Sequence, residues 1–410
     1  MRTTTLLKKL LGIKQTIVKG FEVVAGALVI KVRPSWRKRR CARCRKIRPG
    51  FDRLGPRRWR HLDFGGVCIY LEYAPRRVCC RSCGIVVEMV PWSDDPRSRF
   101  TTDFEESVGH LAQCCDKTSV TVVFQIAWRT VGTIIERVVK RHRSEDPLEG
   151  LVNIGVDEVS YRKNHRYLTL VSNHDTGRII WAKKGKNSDT FATFFKDLGP
   201  ERCEAIKLVS MDMSKAYIKT ARKFVPQAQI VFDRFHVQQL VSDAVNETRL
   251  EEWRRLKEIS SEAAADIKGL RYPLLKNPWN LTAEQSDRLS DLQKDNARLY
   301  RAYLLKESFA SILDRRQPNV AKKKLKNWIS WACRSRLPAF VKTARTIRKH
   351  IDDIIAYVRF RFTNAIAEGL NNKVRLLTRR AYGFHSAEAT ICMIMLCCTG
   401  IKLSPVSKKL

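Results

Sequence analysis

Asp157, Asp212 and Glu368 are the residues of this chain best placed to do chemistry together. The first two follow apolar runs of strand type, LVNIGVDEV and AIKLVSMD, and the third stands in the amphipathic run FTNAIAEGLNNKVRLLTRR. Carboxylates delivered to one point repel one another unless a hard divalent cation lies between them, and oxygen ligands of this kind suit magnesium or manganese. Two such ions about 3.5–4 Å apart activate a water or a 3′-hydroxyl on one side of a phosphodiester and stabilise the leaving oxygen on the other. The charge of the chain names the substrate class. Its 410 residues carry 78 Lys and Arg against 41 Asp and Glu, a net charge of +37, which calls for a polyanion. Carboxylates and charge together predict metal-dependent chemistry on DNA or RNA. A basic structural protein of ribosomal kind is the competing reading of the charge alone, and the length of the chain argues against it. No Gly-rich phosphate loop of the Walker type and no Ser-His-Asp signature is present.

Cysteines supply a second chemistry. Of the 13, Cys41-x-x-Cys44 and Cys80-x-x-Cys83 stand in basic, turn-rich settings, CARCRK and CCRSCG. A CxxC knuckle turns two thiolates toward one tetrahedral ion, and a second knuckle closes a four-cysteine site for one structural Zn2+. Reduced structural thiols are the alternative. Cys79 adjoins Cys80 and competes with it as ligand, although only Cys80 has the x-x spacing to Cys83. Between the pairs, RHLDFGGVCIYLEYAPRRV reads as a β-hairpin turning at Gly65-Gly66, which returns the second knuckle toward the first. Cys114-Cys115 and Cys397-Cys398 lie in apolar helical contexts and read as core residues.

The elements that position these groups follow from periodicity. From Thr102 to Arg143 three short apolar stripes end in Val131, Ile134, Ile135 and Val138, with Arg129, Arg137, Lys140, Arg141 and Arg143 nearby. This fits a helix-turn-helix whose last helix meets DNA, a small helical spacer with a solvated basic face being the alternative. From Leu151 the order is three strands, helix, strand, helix, strand, helix. That is the ribonuclease H-like order, a mixed sheet in which the first and fourth strands are neighbours. Asp157 ends the first strand, Asp212 the fourth and Asp233 the fifth, so their carboxylates converge at the carboxyl ends of the strands. RYLTLVSN and RIIWAKK pair across His174-Asp175-Thr176-Gly177, and SDTFATFFKDLG is a helix capped by Ser188 or Asp189. In the late helix, Asn364, Glu368, Asn372 and Arg375 share one face, and Ile366, Leu370, Val374 and Leu377 share the other. A lone helical glutamate is usually solvated; here asparagines accompany it, and Arg375, Arg379 and Arg380 follow, as on a face meeting phosphate and metal.

The stretches GVDEVSYRKNHRYLTLVSNHDTGRII, VSMDMSKAY, FDRFHV and TNAIAEGLNNKVRLLTRRAYGFHS resemble the transposases of bacterial insertion sequences of the ISL-three type, within the DDE superfamily. The resemblance covers nearly the whole chain, and EGLNNK followed by RRAYGF is its most specific part. It implies Asp157, Asp212 and Glu368 as the catalytic triad, Cys41, Cys44, Cys80 and Cys83 as zinc ligands, and Asp233 and His236 of FDRFHV as accessory active-site residues. Two departures, TNAIAEG before the glutamate and Asn173 in SNHDTG, leave the triad intact. The resemblance also implies an all-α insertion between Asp233 and Glu368, and the helical periodicity there agrees. Within it Lys322, Lys323 and Lys324 read as phosphate contacts. Trp253, Trp279, Trp328 and Trp331 read as core aromatics for the most part, or as platforms for bases.

The expected organisation is therefore multidomain α+β. Residues 1–100 hold a zinc-ribbon-like domain and 101–148 a helix-turn-helix. Residues 149–245 with 356–400 form a ribonuclease H-like catalytic core, and 246–355 an all-α insertion. The expected function is a DNA transposase that uses two Mg2+ or Mn2+ ions. It binds the terminal inverted repeats of its element and joins the cut end to target DNA, as a homodimer or larger oligomer on paired ends. A catalytically inactive DNA-binding regulator and a ribonuclease H-like structure-specific nuclease are the rival readings. No membrane partner is expected, and a bacterial cytoplasmic, nucleoid-associated location is.

Overall fold

A computed structural model describes residues 3–143, 146–162, 166–360 and 365–404, with the side chains of residues 365–368 outside the description. The chain forms two compact units, Met1–Glu145 with Leu376–Leu410, and Asp146–Arg375.

The first unit opens with helix α1 (Thr3–Leu11), and strands β1 (Thr16–Val24) and β2 (Ala27–Pro34) follow as an antiparallel hairpin. Next come β3 (Gly50–Arg53), β4 (Arg57–Phe64), β5 (Val67–Tyr73), β6 (Arg76–Cys80) and β7 (Gly84–Val87). They assemble into a four-stranded sheet of order β1-β2-β5-β4 and a small sheet β3-β6-β7. The hairpin expected at Gly65-Gly66 is β4–β5; both glycines take positive φ, 56° and 83°, which a side chain would resist. Ile30, Leu71, Trp59 and Trp92 are buried under the larger sheet, the two indoles meeting edge to face at 5.6 Å.

Helices α2 (Thr102–Cys114), α3 (Lys117–Phe124) and α4 (Trp128–His142) come next. The side chain of Thr101 accepts the Phe104 N–H at the start of α2, and Asp116 does the same for Ser119 at the start of α3. Gln125, left-handed at φ 51°, ends α3 and turns the chain into α4. The predicted stripe Val131, Ile134, Ile135 and Val138 is fully buried.

The second unit is built on β8 (Asn153–Arg162), β9 (Arg166–Asn173) and β10 (Arg178–Lys184), then α5 (Ser188–Leu198), α6 (Pro200–Glu204), β11 (Leu208–Met211), α7 (Lys215–Phe224) and β12 (Gln229–Phe232). The sheet order is β10-β9-β8-β11-β12; β8 is antiparallel to β9 and parallel to β11, and β11 is parallel to β12. Two local expectations are corrected. The first strand does not end at Asp157 but runs on to Arg162, because pairing with β9 continues past that residue. Asn187, not Ser188 or Asp189, caps α5, its side-chain oxygen accepting the Thr190 N–H.

Beyond β12 the chain is helical: α8 (Arg234–Lys257), α9 (Ser261–Gly269), α10 (Arg271–Leu275), α11 (Ala283–Asp295), α12 (Ala297–Leu313), α13 (Pro318–Arg334), α14 (Pro338–Lys349), α15 (Ile351–Phe360) and α16 (Ala365–Arg380). One continuous apolar core joins sheet and helices, from Ile154 and Phe232 through Val241 to Leu305, Trp328 and Phe340. Helix α17 (Ala387–Cys398) is apolar almost all round and packs on α4 and α2, so residues 376–400 group with the first unit and not with the sheet. No single helix among the described residues is long and apolar enough to cross a membrane.

Candidate active site and DNA-binding elements

Parallel pairing of β8 with β11 sets Gly155 opposite Ser210. Side chains two positions apart in a strand share a face, so Asp157 and Asp212, each two residues beyond that pair, emerge on the same side of the sheet. Both line a narrow cavity of about 20 Å³, together with Asp233, His236, Leu370 and Asn371. A space of that size admits a water or an ion.

Each acidic group is held. Asp157 Oδ1 accepts the N–H of Glu158 at 2.6 Å, and its Oδ2 accepts the side-chain amide of Asn371. Asp212 accepts the Ser214 N–H at 3.0 Å. Asp233 caps α8 by accepting the Phe235 N–H at 2.8 Å, and one turn later His236 Nε2 lies 3.7 Å from its carboxylate. Burial pushes the Asp212 carboxyl above its ordinary range; the Ser214 N–H and His236 oppose this, and the charge of Asp157 adds to it. Glu158 is raised as well, first by burial and then by the charges of Asp212 and Asp157, against the Tyr217 hydroxyl and Lys186. Clustered carboxylate oxygens beside a small cavity are a donor set that suits a hard divalent cation.

Glu368 lies on α16 one turn before Asn371; its side chain, like Asn364, is outside the described residues. Asn371 is the cavity-lining residue that the facing pattern missed. Asn372 and Arg375, both on the expected polar face, are exposed, while Asn371 beside them turns to Asp157. The run EGLNNK held the signal, since residues three apart on a helix share a face. Below the site, buried His174 Nε2 lies 2.6 Å from Ser210 Oγ, tying the β9–β10 turn to β11. A Cβ on Gly155 would come within 2.6 Å of that same Nε2, so glycine is needed there.

The cations expected to meet DNA divide into two groups. Arg141 pairs with Glu105 and Glu106, each at 2.6 Å, and with Asp94 at 3.1 Å; Arg137 bonds Glu105 at 2.7 Å. Arg380 donates to the carbonyls of Ala112 and Gln113, and Lys322 pairs with Asp352 at 2.6 Å. Arg129, Lys140, Arg143, Lys323, Lys324, Arg375 and Arg379 are exposed. Trp328 is buried with its N–H on the Leu305 carbonyl and Trp253 packs against the same core, whereas Trp279 and Trp331 are exposed.

The sulfurs of Cys41, Cys44, Cys80 and Cys83 all lie within 4.8 Å of one another, and those of Cys44 and Cys80 are 3.6 Å apart. Cys79 is exposed and outside this cluster. The two knuckles meet because β6 and β7 form a hairpin and Cys41 bridges to Glu88 just past β7. Burial opposes ionisation of Cys80, yet the Ser82 N–H and the Arg48 guanidinium outweigh it and bring the thiol down to about 6.

A helix-turn-helix followed by a mixed sheet with paired carboxylates is the organisation of a DNA-processing enzyme. Residues 154–394 match a family described as "Transposase", of the ISL3 type, and residues 88–139 match the "Helix-turn-helix domain of transposase family ISL3". The chain is 38% identical to the "Transposase for insertion sequence element IS1557" of Mycobacterium tuberculosis, across 98% of this chain and 96% of that one. It is 28% identical to the "Transposase for insertion sequence element IS1001" of Bordetella parapertussis, across 85% of this chain and 84% of that protein. The chain belongs to the ISL3-type family of insertion-sequence transposases.

Proposed function

We propose that this chain binds the terminal inverted repeats of its own insertion sequence, hydrolyses a phosphodiester there and joins the freed 3′-hydroxyl to target DNA. The observation that carries this reading is the emergence of Asp157 and Asp212 from neighbouring parallel strands into one cavity with Asp233, His236 and Asn371. Asp157, Asp212 and Glu368 form the DDE triad and would hold two Mg2+ or Mn2+ ions. Such ions supply Lewis-acid activation of the attacking oxygen and stabilisation of the leaving one. Asn371 and the Glu158 N–H fix the orientation of Asp157, and the Ser214 N–H fixes that of Asp212. Asp233 steadies His236, which faces the cavity and can hydrogen-bond a phosphate oxygen.

The sheet order supports a ribonuclease H-like core, and the helices from α8 to α15 an all-α insertion within it. The four cysteines would hold one structural Zn2+. With Zn–S bonds of about 2.3 Å, tetrahedral geometry requires sulfurs about 3.8 Å apart, and the observed cluster fits this. The exposed cations on and after α4, on α13 and on α16 would contact DNA. Cutting both termini together would take a homodimer or larger assembly on paired ends.

The test is strand cleavage and joining on labelled DNA carrying the inverted repeats that flank the gene, with magnesium or manganese, comparing the natural chain with Glu368→Gln and Asp212→Asn. Nicks at the repeat ends followed by joined products, absent from both variants, establish the proposal. Specific binding without cleavage by the natural chain favours the inactive regulator, and cleavage of branched or hybrid substrates without end specificity favours the nuclease.

A further inference from the structure

The cysteine knuckles and the last helix of the helix-turn-helix face each other across one groove of about 790 Å³ within the first unit. One wall is the first knuckle and its hairpin, contributing Arg43, Arg45 and the side chains of Ile85 to Val87. The other wall is α4, where Arg137, Lys140 and Arg141 fall at i, i+3 and i+4 on one helical face. The loop from Asp94 to Arg97 forms the floor. The walls are tied down. The Ala42 N–H donates to the Val87 carbonyl at 3.3 Å, strapping the knuckle to β7, and Arg141 forms an ion pair with Asp94 of the floor, N to O 3.1 Å.

The ion pairs around the groove decide which side chains face outward for a ligand. Arg137 and Arg141 are neutralised by Glu105, Glu106 and Asp94, and Arg77, which also lines the groove, is paired with Asp52. Both acidic residues of the floor are engaged, Asp94 by Arg141 and Asp95 by Arg97 at 3.7 Å. Arg43 and Arg45 on one wall and Lys140 on the other are exposed and have no ion pair among the described residues. Unpaired cations therefore flank a strip made apolar by Ile85, Val86 and Val87. Cations on both sides of an apolar strip match a sugar–phosphate chain, whose phosphates seek charge and whose deoxyribose faces are largely apolar.

We infer that this groove is a composite DNA-backbone site in which Arg43 and Arg45 of the knuckle and Lys140 of the helix-turn-helix grip one stretch of one strand. The inference rests on the reading of this chain as a protein that binds its element's ends. On this inference the cysteine cluster holds two arginines at a fixed reach from α4, so that knuckle and helix act as one clamp and not as two independent modules.

The experiment uses the full chain and a duplex carrying the terminal inverted repeat, with Arg43→Gln/Arg45→Gln, Lys140→Gln and the triple variant. These side chains are exposed, and unchanged thermal melting confirms that the variants fold. Affinity is read against salt, and hydroxyl-radical footprints locate the protected phosphates. Each phosphate that is no longer neutralised lowers the salt slope by about 0.9, so the triple variant should lower it by about 2.7. The knuckle pair and Lys140→Gln should each remove protection from the same or adjacent phosphates. Loss of protection at separate places, or unchanged binding by the variants when the natural chain binds, overturns the clamp and leaves the transposase reading intact. A natural chain that binds no duplex overturns both. Variants that keep DNA binding but lose self-association assign the groove to an acidic segment of a second copy instead, and also overturn the clamp.

Discussion

The side-chain amide of Asn371 donates to Oδ2 of Asp157 across a sequence separation of 214 residues. The contact joins helix α16 to the central strand of the second unit at the point where the acidic residues gather. Since Glu368 lies one turn earlier on the same helix, a bond that places Asn371 also sets the register in which α16 approaches the sheet.

Asn371→Leu removes the bond while keeping the branching of the side chain at Cγ. Loss of a partner that orients a metal-binding carboxylate typically costs 10–100-fold in metal affinity or activity. End cleavage by this variant should therefore need more manganese or magnesium and fall by about that factor, with repeat binding unchanged. Cleavage titrated against metal concentration measures this; an unaltered titration would show the bond to be incidental.

Gly155→Ala places a methyl group within 2.6 Å of His174 Nε2 and 2.9 Å of Ser172 Oγ. Both neighbours are buried and bonded, so the strand must shift. The expected destabilisation is about 1–3 kcal/mol. Thermal or urea unfolding of the purified variant measures it, and a loss of cleavage larger than the loss of folded protein would locate the shift at Asp157.

Burial holds His174 below its ordinary value of 6.5, with the nearby charge of Asp175 opposing. In the unfolded chain the imidazole takes a proton near its ordinary value, and in the folded chain only at lower pH. Its contribution to stability is thus complete above 6.5 and is lost as pH falls through the folded value. Melting temperature should drop between roughly pH 7 and pH 5, and His174→Gln should flatten that slope. Asp212 and Glu158, both raised by burial, act with opposite sign, adding stability as pH falls through their raised folded values. An equal slope in both proteins would show that His174 does not set the pH dependence.

Arg141 and Lys140 are neighbours on α4 with different fates. Arg141 reaches Glu105, whose side chain is 1% exposed, and Lys140 is exposed without an ion pair among the described residues. Arg141→Ala leaves a buried carboxylate short of a partner and should destabilise the first unit by on the order of 3 kcal/mol. Lys140→Gln should leave stability unchanged and weaken DNA binding. Paired melting curves and salt titrations separate the two roles.

Much of the molecule is legible in the sequence because local chemistry carries it. The CxxC pairs announce a four-sulfur cluster, since two thiolates at that spacing turn toward one point. The apolar periods of β8, β11 and β12 place Asp157, Asp212 and Asp233 at one end of the sheet, and the stripe from Val131 to Val138 announces α4. Each of these signals lies within one knuckle, strand or helix. The cap of α5 falls one residue before the expected position because asparagine, serine and aspartate cap almost equally well, and only backbone conformation chooses among them.

The family, the CxxC knuckles and the basic character that demands a polyanion are written in local sequence, because each rests on residue type and short spacing. Tertiary structure alone decided which cations are available to that polyanion. Arg137, Arg141 and Lys140 are indistinguishable by spacing, yet α2 presents Glu105 and Glu106 to the first two and nothing to the third. It likewise chose Asn371 over Asn372 as the partner of Asp157. Charge neutralisation and hydrogen bonding depend on distances of a few ångströms between segments far apart in the chain, and packing of the core sets those distances.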